Sequence, residues 1–218
     1  LRTEGTDNLL AAARAVGARR FIAQSFGNWN YARTGTGLKT EDDPLDPNPP
    51  QNQVKSLEAI RHLESAVTGT AGIEGITLRY GNLYGPGTGF GPDGDIVAMI
   101  RKRGLPLVGN GAGVWSFIHV NDAASAAVLA IGKGAPGIYN IADDEPAPVG
   151  VWLPDLAKVL GAKPPLRIPV WLARLIIGDV GVSMMTQIRG ASNAKAKREL
   201  GWQPSYKTWR DGFRKDLR

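Results

Sequence analysis

Apolar residues recur at two different spacings along this chain, and the two spacings alternate. Residues 5–17 carry apolar side chains at helical intervals, and Gly17 can end the helix that this pattern predicts. Residues 20–25 then have the composition of a short strand. A helix followed after a tight turn by a strand is half of a βαβ unit, so the pattern predicts a parallel sheet.

The same order appears a second time after a long loop. Residues 27–50 are rich in Gly and Pro and carry acidic side chains at 41–43, which predicts a loop of unusual length. Loops of this length in compact domains are commonly functional. A helix over 53–67 and a strand over 75–80 follow, and residues 81–87 form a further loop at the strand's carboxyl end.

The sequence after residue 87 predicts shorter helices and strands, and then mostly helices towards the end of the chain. Together they indicate an α/β fold: a Rossmann-like parallel sheet with a small, mostly helical C-terminal substrate lobe. We assign approximately 1–80 and 107–133 to the core and 81–106 and 134–218 to the lobe of a single unit. The predicted later elements are helices at 95–103, 122–133 and 152–160 and strands at 107–108, 115–120 and 138–141.

Composition narrows the possible functions. The chain has 218 residues, of which 43% are hydrophobic and none is Cys, so it is globular and lacks disulfide and thiol chemistry. The formal charge of +6 comes entirely from residues 189–218, which hold nine Lys/Arg and three Asp/Glu. We interpret this tail as a solvated helix face and expect no nucleic-acid partner. The apolar stretch 169–178 contains Arg174 and is too short to cross a bilayer, so we expect no membrane partner and a cytoplasmic location.

Six segments in a fixed order resemble the extended short-chain dehydrogenases/reductases of the NAD-dependent epimerase/dehydratase family. They are 2–10 (RTEGTDNLL), 20–25 (RFIAQS), 78–87 (LRYGNLYGPG), 117–124 (FIHVNDAA), 137–141 (GIYNI) and 198–204 (RELGWQP). The resemblance implies NAD or NADP as cofactor, a small-molecule substrate and a possible homodimer.

Members of that family carry the first strands and a glycine-rich loop ahead of the segment that matches 2–10. The glycine runs at 85–91 and 109–113 lack the Gly-x-Gly-x-x-Gly spacing, and we interpret both as turn glycines. We therefore expect a fragment with an incomplete sheet and an exposed apolar edge. Such a chain would bind NAD(P) weakly and be inactive alone.

In the family a Ser or Thr, a Tyr and a Lys four residues after the Tyr act together on a hydroxyl or carbonyl. The matching stretch here runs from Pro50 to Lys55, which retains the Lys and places Gln51 where the family has Tyr. An amide cannot serve as a general acid in the way that a phenol does. Ser25 is the candidate serine, although an alignment shifted by one residue places Phe26 there. Tyr31 is a candidate for an alternative phenol.

Further candidates come from the same matches. Ser25, Lys55 and Tyr80 are candidate cofactor contacts, although Tyr80 could instead be a packing residue. Asn82 matches the family's substrate-binding Asn. Trp115 stands where nucleotide-sugar enzymes carry an Arg that holds a phosphate, which argues against a diphosphate substrate. No metal site is predicted.

The sequence therefore favours an NAD(P)-dependent oxidoreductase or epimerase/dehydratase-like protein with an atypical site, acting on a small hydroxyl, carbonyl or sugar-like substrate. The alternative is a catalytically silent dinucleotide-binding regulator of the same fold, which the Gln51 substitution would suit.

Overall fold

The computed structural model describes residues 2–217. Its helices are α1 (Glu4–Ala15), α2 (Val54–Gly69), α3 (Asp95–Arg101), α4 (Val120–Gly132), α5 (Val149–Val159), α6 (Val170–Thr186) and α7 (Trp209–Asp216). Its strands are β1 (Arg20–Phe26), β2 (Glu74–Tyr80), β3 (Asn82–Tyr84), β4 (Leu107–Val108), β5 (Val114–Trp115), β6 (Phe117–His119), β7 (Gly137–Ile141), β8 (Ala147–Pro148) and β9 (Arg167–Ile168).

The main sheet has the order β1-β2-β7, with both pairs parallel. Helices α1 and α2 cover one face through a small apolar cluster that includes Leu10, Leu63 and Val67. Close approach of α2 requires a glycine on β2, because a Cβ at Gly75 would lie 1.7 Å from the Val67 carbonyl oxygen. The sheet thus has the predicted α/β character, with functional loops at its carboxyl end.

The other face of the sheet packs against α4. Alanines on that helix, at positions 123, 126 and 130, are buried against Ile76 and Leu78 of β2. Small side chains at this spacing allow the helix axis to lie close to the sheet. The helix begins earlier than predicted: the His119 ring accepts a hydrogen bond from the Asn121 N–H at 3.1 Å and caps it. Asp122, where we predicted the helix to begin, is buried and accepts from the backbone N–H groups of residues 205 and 206.

The second lobe is built around buried aromatic rings. Trp115 and Trp152 have ring centroids 4.9 Å apart, and Phe90, Phe117 and Phe213 pack around them. Three short pairs complete the lobe: β3 with β6 and β4 with β9, both parallel, and β5 with β8, antiparallel.

The predicted boundary between core and lobe needs correction. The strand Gly137–Ile141 belongs to the main sheet, whereas 134–218 had been assigned to the lobe. Conversely, Leu107, Trp115 and Phe117 lie in the aromatic core of the lobe rather than in the Rossmann-type part. Chain order misled the prediction, because the polypeptide crosses between the two units five times after β2.

Among the described residues, β1 and β7 are the two edge strands of the main sheet. A cleft of about 460 Å³ lies between β1 and α1, with Leu9 and Phe21 among its lining residues. Among residues 2–217, no helix combines the length and apolar character that crossing a membrane requires.

Candidate functional site

The carboxyl ends of the three sheet strands carry a row of polar side chains. Ser25 of β1 pairs in register with Arg79 of β2, and Arg79 pairs with Asn140 of β7. Parallel strands in register place these side chains side by side on one face of the sheet. All three are buried, with exposures of 3% or less. Buried polar groups need partners, and the neighbouring elements supply them.

Two further residues complete this row. The Ser25 hydroxyl donates to Glu64 Oε1 at 2.7 Å, and the Arg79 guanidinium donates to both Glu64 oxygens at 2.7 and 2.6 Å. Arg79 also donates to the Tyr31 hydroxyl at 2.8 Å, and that hydroxyl donates to Asn140 Oδ1 at 2.6 Å. We call Ser25, Glu64, Arg79, Tyr31 and Asn140 the buried polar row. It ties α2 and the long loop to the sheet.

This arrangement corrects two predicted roles. Ser25 Oγ has no solvent exposure and is bonded to Glu64, so it does not face a cavity where a substrate could bind. Tyr31 is 1% exposed, and burial raises the pKa of its phenol to about 12. A phenol held neutral in this way and already bonded on both sides is a poor proton donor to a ligand. Both residues are structural here.

Next to the buried polar row lies a cavity of about 450 Å³ between the first loop and the start of α2. Phe26, Trp29 and Lys55 line it. The two rings have centroids 6.1 Å apart, and the Arg2 guanidinium lies over Phe26 at 4.6 Å. Within residues 2–217 the Lys55 side chain forms no ion pair or hydrogen bond, so its ammonium is free to bind a ligand. We call this space the lysine cavity.

A second cavity of about 240 Å³ adjoins the first, since Phe26 and Trp29 line both. Tyr80, the last residue of β2, and Asn82, the first residue of β3, contribute to its wall. The Tyr80 hydroxyl donates to the Ala123 carbonyl at 3.1 Å, and burial raises the pKa of its phenol to about 12. Asn82 Nδ2 donates to the Ser116 carbonyl at 3.1 Å. The structure therefore brings Lys55, Tyr80 and Asn82 together around two aromatic rings.

Two other predicted site residues lie elsewhere. Gln51 is exposed at the start of the 3₁₀ turn Gln51–Gln53 and lines neither cavity. Trp115 is a core residue whose indole N–H donates to the Met184 carbonyl at 2.8 Å. Its predicted contact with substrate needs correction, because its ring is enclosed by the aromatic core of the lobe.

Sequence reasoning missed Trp29 as a cavity residue and Glu64 as the centre of the buried polar row. Glu64 left a detectable signal: it lies four residues after Ile60 and three before Val67, on the apolar stripe of α2. A carboxylate on such a stripe requires a buried cationic partner. For Trp29 the loop provides no periodicity, so no comparable signal existed.

The glycines of the run after β3 pack closely against backbone atoms of the same run. A Cβ at Gly91 would lie 2.4 Å from the Gly85 carbonyl oxygen, and one at Gly94 would lie 2.1 Å from the Gly89 oxygen. The later run packs equally tightly, with Gly111 against the Gly150 backbone. These close contacts and the positive φ of Gly85, Gly87, Gly109 and Gly111 are typical of glycines in tight turns.

Comparison with known proteins shows to which family the chain belongs. Residues 2–142 match the NAD dependent epimerase/dehydratase family. The chain belongs to this family. It is 44% identical over 214 residues to a 3-diazoavenalumate denitrifying reductase from a Streptomyces species, covering 98% of this chain and 70% of the relative. It is 29% identical over 170 residues to a 2-alkyl-3-oxoalkanoate reductase of Stenotrophomonas maltophilia, covering 72% of this chain and half of the relative.

Solved structures of this family share the fold. The UDP-glucose 4-epimerase of Thermus thermophilus in complex with NAD matches with a TM-score of 0.69 and 27% identity, covering 97% of this chain and 67% of the other. The Thermotoga maritima UDP-glucose 4-epimerase with UDP-glucose matches at a TM-score of 0.76 and 24% identity, covering 99% and 67%. The predicted fold class and family are confirmed, and NAD(P) is the cofactor at the level of the family.

The described residues fit one end of such a cofactor. A free ammonium beside two aromatic rings suits the ribose and ring of a nicotinamide nucleoside, and Lys55, Phe26 and Trp29 would hold it. Neither glycine run within residues 2–217 has the Gly-x-Gly-x-x-Gly spacing of a loop that binds the pyrophosphate.

Proposed function

We propose that this chain carries the nicotinamide and substrate side of an NAD(P)-dependent reductase for a small hydride acceptor, and that the site works without a tyrosine general acid. The lysine cavity carries the proposal. It joins Lys55 to aromatic walls, and no tyrosine hydroxyl among residues 2–217 lines it. The residue in the family's Tyr position is the exposed Gln51.

Hydride acceptors differ in their need for a proton. Hydride addition to a ketone produces an alkoxide, which an enzyme normally protonates with an acid. Hydride addition to a carbon that bears a diazonium group forms a C–H bond, while the C–N electron pair leaves with N₂. That reaction consumes one hydride and requires no proton. A site without a phenol is therefore suited to a diazonium acceptor.

The 44% identical relative is named as a reductase that removes nitrogen from a diazo compound. This name supports a diazonium group as the hydride acceptor of the present chain. The hydride would come from the reduced nicotinamide. Lys55 would orient the ribose by donating hydrogen bonds to its hydroxyls, and Phe26 and Trp29 would exclude water and stack on planar groups.

A direct test follows the hydride. Because we expect the 218-residue chain to be inactive alone, the full-length protein is incubated with NAD(P)H deuterated at the transferred position and with a benzenediazonium salt, and the arene product is analysed by mass spectrometry. We expect one deuterium in the product and little turnover of a simple ketone under the same conditions. Lys55→Ala should slow transfer at least about tenfold through misplacement of the cofactor, while Lys158→Ala, an exposed lysine on α5, should leave it unchanged.

The second candidate is a dinucleotide-binding regulator without turnover, which the exposed amide at position 51 favours. It predicts saturable binding of NAD(P)H, measured by quenching of tryptophan fluorescence, with no deuterium in any arene or alcohol product. Transfer of deuterium to product would exclude this candidate.

A further inference from the structure

The first half of α6 presents large apolar side chains to solvent. Trp171 is 67% exposed, Leu175 is 78% exposed and Ile176 is 63% exposed. Trp171 and Leu175 are four residues apart and therefore share a helix face. Leu166 and Val170, just before them, are also exposed, at 49% and 38%. Contiguous apolar exposure of this kind marks an interaction surface.

A kink separates this half of the helix from the half that packs in the lobe. Gly178 has φ of 67°, outside the helical range. Val182 and Met185, beyond the kink, are buried in the aromatic core. The first half contributes only the small side chain of Ala173 and part of Ile177 to this core, so the face that carries Trp171, Leu175 and Ile176 is left exposed.

The surroundings of the exposed half are strongly basic. Segment 163–176 is joined to segment 99–104 by a hydrogen bond from Arg103 Nε to the Pro164 carbonyl at 2.9 Å. We call these two segments the α6 surface. They contain no Asp or Glu, and they hold six cations: Arg101, Lys102, Arg103, Lys163, Arg167 and Arg174. The nearest acid in sequence is Asp179, beyond the kink, which pairs with Arg174 at 2.9 Å in an exposed and therefore weak contact.

We propose that the α6 surface docks on an anionic lipid bilayer, with the first half of α6 lying in the headgroup region. A tryptophan with aliphatic neighbours enters the boundary between headgroups and acyl chains, while the surrounding cations meet lipid phosphates. This role goes beyond the reductase function and does not depend on it. The proposal departs from our sequence-based expectation of no membrane partner, which considered only a helix that crosses the bilayer. Residues 169–178 are too short to do so, but a helix that lies along the surface does not need that length.

The charge pattern disfavours other occupants of the same surface. A second copy packed face to face would bring six cations against six cations without any carboxylate within the two segments to compensate them. Nucleic acid would pair with the cations but would leave Leu175 and Ile176 without an apolar partner. An anionic bilayer satisfies both parts of the surface.

Vesicle co-sedimentation of the purified chain tests the proposal. We expect binding to vesicles of phosphatidylcholine mixed with phosphatidylglycerol, and weak binding to phosphatidylcholine alone. High salt should release the protein, because it screens the contacts between cations and headgroups. Trp171 is far more exposed than the buried Trp115, Trp152, Trp202 and Trp209, so binding should shift tryptophan emission to shorter wavelength. Trp171→Phe should abolish most of that shift while binding persists.

Variants separate the contributions of apolar and of charged side chains to vesicle binding. Leu175→Glu, and the double variant Lys102→Glu with Lys163→Glu, should each lower partitioning by about tenfold or more. Val128→Glu is the matched control, because Val128 is 65% exposed on α4, away from this surface. Equal binding to both vesicle types, absence of binding, or equal effects of Leu175→Glu and Val128→Glu would overturn the proposal. So would a dimer in solution that Leu175→Glu dissociates.

Discussion

Ser25 and Phe26 are neighbours at the end of β1, yet they belong to two different regions of the molecule. The Ser25 hydroxyl is buried and bonded to Glu64, whereas Phe26 lines both cavities. Successive residues of a strand point to opposite faces, so a register difference of one residue decides which side chain meets a ligand. The comparison separates a buried polar row whose side chains bond to one another from a cavity in which we propose that the chemistry occurs.

The largest expected effect concerns the centre of the buried polar row. Arg79→Ala would leave Glu64 buried without its cationic partner, and breaking a buried pair in this way costs about 3–5 kcal/mol of unfolding free energy. Urea denaturation measures the loss. Arg101→Ala, at an exposed position on α3, should change stability by less than about 0.5 kcal/mol. Equal losses in the two variants would contradict the structural role of the row.

Replacing a buried carboxyl outside the row should raise the stability of the protein, whereas Arg79→Ala lowers it. Burial raises the pKa of Asp143 to about 8, and its Oδ2 has no hydrogen-bond partner among the described residues. A raised folded-state pKa means that this group's contribution to stability is lost as pH rises from about 4 to about 8. Asp143→Asn should thus be more stable than the parent above about pH 8 and equal to it below about pH 4.

Thermal unfolding across this pH range measures the difference between variant and parent. Asp42→Asn, at an exposed position in the long loop, is the control. A stability difference for Asp143→Asn that does not vary with pH would show that the Asp143 carboxyl is not held in its neutral form.

A smaller effect is expected where the long loop joins the row. Tyr31→Phe removes a hydroxyl that accepts from Arg79 and donates to Asn140, which should cost about 1–3 kcal/mol. Because the folded-state pKa of Tyr31 is about 12, the parent should lose this group's contribution as pH rises from about 10 towards 12, and the variant should not. Calorimetry at neutral and alkaline pH tests both statements, with Tyr206→Phe as the comparison, because the half-buried Tyr206 hydroxyl accepts from the exposed Lys215.

The sequence predicts the scaffold better than the site. Helical and strand periodicity locates α1, β1, α2 and β2, and the motif matches identify the family, because both depend on local patterns. The roles of Ser25, Tyr31 and Trp115 were assigned incorrectly, because burial depends on which elements pack over a residue. Glu64 shows what such a prediction needs: a charged residue on an apolar helix stripe reports a buried partner, although it does not name Arg79.

The central claim is that function resides in the lysine cavity and not in the buried polar row. Hydride-transfer rates of Ser25→Ala and Lys55→Ala, measured side by side at a temperature where both are folded, test it most directly. We predict that Ser25→Ala loses about 1 kcal/mol of stability and keeps its rate, whereas Lys55→Ala keeps its stability and transfers hydride at least about tenfold more slowly. A slow Ser25→Ala beside an unaffected Lys55→Ala would contradict the account.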